Sequence, residues 1–180
     1  GNSPTTTFDY ISHVLEKNNI NSFSSSGAFI RILSYLIDRN NGSLREIERC
    51  LSVLAVVDNP YELNKITNNY YNAGLALVVF LKVFNPILLE SLITHEINYS
   101  DFTFKLKISL PIIKDNIITQ NHLNFLTSLI RYHFLSNEEL RHARLKNEEW
   151  IIDIENLRVN SLRAMIIEDI ASSIDNMHIS

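Results

Sequence analysis

The sequence predicts a mainly α fold, a multi-helix bundle with room for one small two-stranded antiparallel ribbon over about 102–108 and 150–155. Three observations predict it. Apolar residues recur at three- and four-residue spacing through most of the chain, the period of a helix with one buried face. Only four glycines and four prolines interrupt the 180 residues, 46% of which are hydrophobic and 20% charged, the balance of a compact globule. Polar caps and Asn, Gly or Pro stops bracket the apolar segments. A chain of this length can bury roughly two thirds of its unfolded surface, so a substantial core is expected.

The elements follow in order. Thr6-Thr7-Phe8-Asp9 starts a short first helix with Phe8, Ile11, Val14 and Leu15 on one face, fading at Asn18-Asn19. Phe29, Ile30, Leu33, Leu36 and Ile37 mark a second, which stops at Asn40-Asn41-Gly42. Ser43 then opens a third, with Leu44, Ile47, Leu51 and Leu54 as its inner stripe and Asp58-Asn59-Pro60 as its stop. The polar stretch 61–72 is assigned helix despite its asparagines. Ala73 to Phe84 is apolar nearly all round, as a central helix must be, and Pro86 begins another through Leu88, Leu89, Leu92 and Ile93.

Phe102, Phe104, Leu106 and Ile108 alternate with Thr103, Lys105 and Lys107, a strand pattern. Ile152 and Ile154 alternate with Asp153 and Glu155, and antiparallel pairing sets lysines beside acids. Between these segments, Leu123, Leu126, Leu129, Ile130 and His133 define one helix and Asn137 to Lys146 a shorter, charged one. Ser161 caps the last, with Leu162, Met165, Ile166, Ile170 and Ile174 inward. The chain divides into a helical region, 1–100, and a mainly helical extension, 101–180, packed on it.

Net charge is −4 and the pI about 5.9, so no global field draws the chain to nucleic acid or an anionic membrane. A lone Cys50 on an apolar helix side indicates a reduced, packed thiol and a cytoplasmic setting. No signal peptide is visible after Gly1, and a start without methionine leads us to expect an excised fragment. The most lipid-like segment, 73–84, contains Lys82 and falls short of the roughly 20 apolar residues a span requires.

Ser43-Leu44-Arg45-Glu46-Ile47-Glu48-Arg49 is the most informative stretch. Its S-x-x-E capping box puts Arg45 at the second helical position, where the macrodipole disfavours a cation, and Arg49 repels it from one turn on. An anionic partner would explain both. Pairing of Arg45 with Glu48, and of Glu46 with Arg49, would explain them without a ligand.

Other chemistry is sparse. Neither G-x-x-x-x-G-K-[ST] nor G-x-G-x-x-G is present, which argues against independent nucleotide hydrolysis. His95-Glu96 begins like a zinc-protease helix, but Tyr99 stands where the second imidazole belongs. His13, His122, His133, His142 and His178 lack ligand spacing, so no metal ligand set is expected and each reads as a surface or hydrogen-bonded histidine. No catalytic residue is expected in this chain. Arg141, Arg144 and Lys146 form the densest basic segment, a candidate phosphate or partner contact, although nearby Glu138 favours a solvated helix.

With these motifs in view, the chain resembles the C-terminal helical part of KAP-family P-loop NTPases. Two landmarks carry the resemblance: the Ser43 to Arg49 helix start, similar to the family's S-x-R-x-I-x-R helix, and Leu81-Lys82-Val83-Phe84-Asn85-Pro86, similar to its LKV-x-x-P step. The resemblance covers roughly 5–97. It implies an upstream P-loop core of the same polypeptide, with ATP and magnesium, on which this region packs as a lid or regulatory extension. It also implies that Arg45, or Arg49, occupies the place of a lid arginine sensing nucleotide phosphates. The family includes bacterial proteins linked to phage exclusion and animal membrane scaffolds. This chain departs from the whole pattern in having no phosphate loop, no acidic magnesium-binding strand and no membrane insertion. The expected function is therefore a non-catalytic fragment coupling nucleotide state to a protein partner. The rival is a free-standing protein-protein interaction module with Tyr61, Tyr70 and Tyr71 near its contact surface; nucleic-acid binding through Arg141, Arg144 and Lys146 is a third, weaker reading.

Overall fold

The computed structural model describes residues 6–18, 20, 27–57, 68–108, 117–157 and 163–177. Ten helices occur among them: α1 Thr7–Lys17, α2 Ala28–Arg39, α3 Leu44–Val57, α4 Asn69–Phe84, α5 Pro86–Ile93, α6 Tyr99–Lys105, α7 Ile117–Phe134, α8 Asn137–Leu145, α9 Glu149–Glu155 and α10 Ile166–Met177. The mainly α multi-helix bundle is as expected.

The centre is α4. Every residue from Asn72 to Leu81 is buried, because α2, α3, α7 and α10 all pack on it. Close approach requires Gly74: a Cβ there would lie 3.1 Å from Ile170 Cδ1, 3.1 Å from Leu129 Cδ2 and 3.2 Å from Ile166 Cγ2. The helix starts at Asn69, earlier than the apolar run, because the Asn68 carboxamide accepts from the amides of Tyr70 and Tyr71 at 2.8 and 3.2 Å. Residues 61–67 of the polar stretch lie outside the described residues. At the other end Asn85 leaves helical geometry, accepts from the Leu88 amide and delivers Pro86 to the first turn of α5.

The predicted faces of α1 and α2 are in place. Thr6 caps α1 through the Asp9 amide, Ile11 and Leu15 are buried, and Phe29, Ile30, Leu33, Leu36 and Ile37 all enter the core. In α3, Ile47, Cys50, Leu51 and Leu54 are buried, but Leu44, expected on the inner stripe, is 61% exposed. The predicted stop at 58–60 lies outside the described residues. Cys50 is a free thiol, and burial pushes its pKa up to about 12, consistent with a packed, inert role. No helix among the described residues is long and apolar enough to cross a membrane.

The two-stranded ribbon does not form. Its first segment lies in α6 and the turn after it, its second in α9, and no strand occurs among the described residues. The burial pattern shows why helix wins: Phe102 and Leu106, one helical turn apart, are buried, whereas Phe104 between them is 82% exposed. Ile151 and Ile154 are buried three residues apart, while Ile152 faces outward. Asn98 supplies the local signal, its side chain accepting from the Asp101 amide at 2.8 Å to start α6. In segments this short, apolar residues satisfy both periodicities, and caps decide between them.

Four helices end alike. Asn41, His95, Lys107 and Asn147 adopt φ of 51°, 57°, 61° and 52° just past α2, α5, α6 and α8. The amides that follow reach back to Ile37, Ser91, Thr103 and Ala143 at 2.9–3.3 Å, closing Schellman turns without glycine at the left-handed position. Gly42 sits one residue beyond that position. A Cβ on it would come within 2.6 Å of Ile37 Cγ2 and 2.8 Å of Phe84 Cζ. The last helix begins at Ile166, later than the start after Ser161 expected from sequence, since 163–165 are not helical. Met165, expected inward, precedes the helix and is 45% exposed, and Ser161 and Leu162 lie outside the described residues.

Gly42→Ala should therefore destabilise the fold by about 1–3 kcal/mol through overpacking, read as a lower urea midpoint at an unchanged m-value.

Candidate functional site

Two side-chain groups present themselves, and the first is the arginine face of α3. The capping box forms as predicted: Ser43 Oγ accepts from the Glu46 amide at 3.2 Å, and Glu46 Oε1 accepts from the Ser43 amide at 3.1 Å. Arg45 and Arg49 are both exposed. The local pairings that would explain them without a ligand are not made among the described residues. Glu46 is engaged in its cap, and Glu48 Oε1 accepts from Tyr10 Oη of α1 at 3.0 Å.

On α8, Arg141, Arg144 and Lys146 are exposed, but Arg144 is committed. Its Nε donates to Glu155 Oε1 at 2.7 Å and its Nη2 to Oε2, a bidentate pair with α9. Glu155 also accepts from Tyr132 Oη at 3.0 Å, and that hydroxyl accepts from the buried Ala164 amide at 3.0 Å. The Arg144 guanidinium, the largest influence, holds the Glu155 carboxyl below its ordinary value of 4.5, and burial pushes Tyr132 up to about 12. Arg163 completes the hub. Its Nη2 donates to the Tyr132 and Leu135 carbonyls, both at 2.6 Å, capping α7, while its guanidinium lies 5.4 Å from the Tyr132 ring centroid.

This hub fixes the approach to α10 against the end of α7, and so places the second group. His133 at the end of α7, His95 in the turn after α5 and Glu168 on α10 converge, their ligand-type atoms all within 4.8 Å of one another. Glu168 Oε1 stands 3.3 Å from His133 Nδ1 and 3.7 Å from His95 Nε2. The two imidazoles stack, 5° from parallel, with centroids 4.5 Å apart. The His133 side chain is 5% exposed and that of His95 55%. His133 Nε2 lies 2.7 Å from the Leu92 carbonyl, which can only accept, so Nε2 carries the hydrogen. Burial lowers the His133 pKa from 6.5, partly opposed by the Glu168 charge. A cavity of about 80 Å³ adjoins the cluster, lined also by Leu129, Tyr132 and Arg163.

From sequence, His95 reads only as the start of a zinc-protease helix, set aside for want of a second imidazole at 99, and His133 as a surface or hydrogen-bonded group, because the three residues come from separate helical segments with no shared motif. One signal was legible: His133 occupies the apolar face of α7 beside Leu129 and Ile130. No protein family, curated protein or solved structure matches the chain.

The Glu155 hub has a sign-determined pH dependence. Because the folded carboxyl pKa is depressed, the folded chain binds fewer protons here than the unfolded chain. Its stabilisation is thus full above the unfolded value near 4.5 and is lost as pH falls through the folded value. Glu155→Gln should flatten the slope of stability against pH in that acid range, measured by urea titrations at stepped pH, with little change of slope above pH ~6.

Proposed function

We propose that the chain is the helical lid or regulatory portion of a KAP-type P-loop ATPase, not catalytic alone, coupling nucleotide state to a partner. Two things support this reading. The residues 43–49 and 81–86 resemble the family's helix start and its step after an apolar helix. The observation that carries it structurally is the exposure of Arg45 and Arg49 on α3, with Glu46 and Glu48 occupied elsewhere.

Two guanidinium groups offered from one helix face suit phosphate oxygens or a carboxylate-bearing surface, which their planar donor forks engage in bidentate fashion. Placed against an upstream core holding ATP and magnesium, Arg45 would stabilise charge on the γ-phosphate or report its presence. Arg141 and Lys146 are secondary candidates for the same contact, and Arg144 is a weaker one because Glu155 holds it.

The interaction-module alternative draws on exposed Ile87 and Phe104, 78% and 82% accessible. It loses support from the tyrosines: Tyr70 is buried edge-on to Phe125, Tyr71 packs on the core, and Tyr61 lies outside the described residues.

Two measurements test the proposal. The gene upstream of residue 1 should encode a G-x-x-x-x-G-K-[ST] segment in the same frame. In the protein carrying that core, Arg45→Ala should lower ATP hydrolysis at least about tenfold, a modest fraction of what a phosphate-contacting arginine supplies elsewhere. An unchanged rate and nucleotide affinity would exclude the arginine's role.

A further inference from the structure

The His95, His133 and Glu168 side chains have no part in that reading. Their arrangement poses an electrostatic problem. With its hydrogen on Nε2 and donated to the Leu92 carbonyl, a neutral His133 turns the lone pair of Nδ1 toward Glu168 Oε1 at 3.3 Å. Two electron-rich atoms then face one another beside the core, and the contact is favourable only with a cation between them. A proton can serve, making an imidazolium-carboxylate pair. A metal ion serves as well and also engages the third donor, the exposed His95 imidazole stacked beside His133 with its Nε2 3.7 Å from the same carboxylate oxygen.

We propose that His133 Nδ1, Glu168 and His95 Nε2 bind one divalent transition-metal ion of the zinc class, clamping the ends of α5 and α7 to α10. The donor set fits that class. Two imidazoles and one carboxylate suit zinc and its neighbours, whereas magnesium and calcium prefer all-oxygen shells. The spacing fits as well, since ligand bonds of about 2.0–2.1 Å in tetrahedral array set ligand atoms roughly 3.3 Å apart. His133 and Glu168 already stand at 3.3 Å, and His95 and Glu168 at 3.7 Å. The Nε2–H bond to the Leu92 carbonyl is the outer-sphere support that orients a ligating imidazole.

Binding requires one movement. An ion in the plane of the His133 ring is out of plane for the parallel His95 ring, so His95 turns about its χ2 to aim Nε2 at the ion. Its side chain is 55% exposed, which leaves room for that turn. The adjoining cavity admits water as a remaining ligand. The backbone is already set. His95 sits at φ 57°, a conformation costly for most side chains, held by the Schellman turn that brings its ring over His133.

Cobalt(II) titration of the purified chain tests this, followed by visible d–d absorption and competition with zinc, with thermal unfolding alongside. Expected are one ion per chain, visible bands of low-coordinate cobalt displaced by zinc, and a rise in Tm with zinc but not with magnesium at equal concentration. His95→Asn keeps a residue suited to positive φ, and Glu168→Gln keeps the side-chain shape. Each should weaken binding by at least the roughly 10- to 100-fold that losing even an outer-sphere partner costs, while circular dichroism shows the helices intact. Absence of cobalt and zinc binding at millimolar metal overturns the proposal. Binding that both variants leave unchanged overturns it too, by placing the ion elsewhere. Neither result bears on Arg45, so this site and the proposed ATPase role fail independently.

Discussion

A helix that is apolar on every side cannot sit at a surface, and α4 imposes that constraint on the whole bundle. From Asn72 to Leu81 no residue of it reaches solvent freely, so α2, α3, α7 and α10 must enclose it. Gly74 lets Leu129 of α7 and Ile166 and Ile170 of α10 close on the same point of its surface. Those two helices carry His133 and Glu168, and their meeting on α4 brings the buried imidazole and the carboxylate together. The cluster is a by-product of core packing before it is anything chemical.

Polar interactions then fix what packing leaves free. The approach to α10 is tied down by Arg163 on the carbonyls at the end of α7 and by the Tyr132 hydroxyl on the Ala164 amide. Glu155 and Arg144 brace that hydroxyl from α9 and α8. Buried hydrogen bonds of this kind contribute modestly when made but cost more when one partner is removed, so the hub specifies geometry more than it adds stability. The same economy appears in the four Schellman turns, where asparagine, histidine and lysine occupy positions that glycine usually fills. At His95 the unfavourable φ coincides with the candidate metal ligand, the place where stored strain has a use.

The arginine face of α3 follows a different logic. Its carboxylate neighbours are drawn into a cap and into a hydrogen bond from Tyr10, which leaves Arg45 and Arg49 exposed at the end of the helix dipole least suited to them. The fold makes little use of these charges, and the proposed contact with an external anion rests on that. By contrast Arg144, which lies in the basic segment that stood out by composition, is spent inside the fold on Glu155.

Local chemistry in the sequence determined most of the helices: the Thr6 and Ser43 caps, the inward faces of α1 and α2, the all-round apolarity of α4 and the Asn85-Pro86 break were each legible because a few neighbouring residues suffice to set them. The same locality misread 102–108 and 150–155, where alternation and helical spacing coincide over so few residues that only burial of Phe102, Leu106, Ile151 and Ile154 distinguishes them. It was silent on the His95, His133 and Glu168 cluster, since no spacing within one helix relates three residues from three segments. Tertiary structure alone decided which carboxylates are free to pair with which arginines, and which histidine is buried against an acid, because both depend on how helices distant in the chain converge around α4.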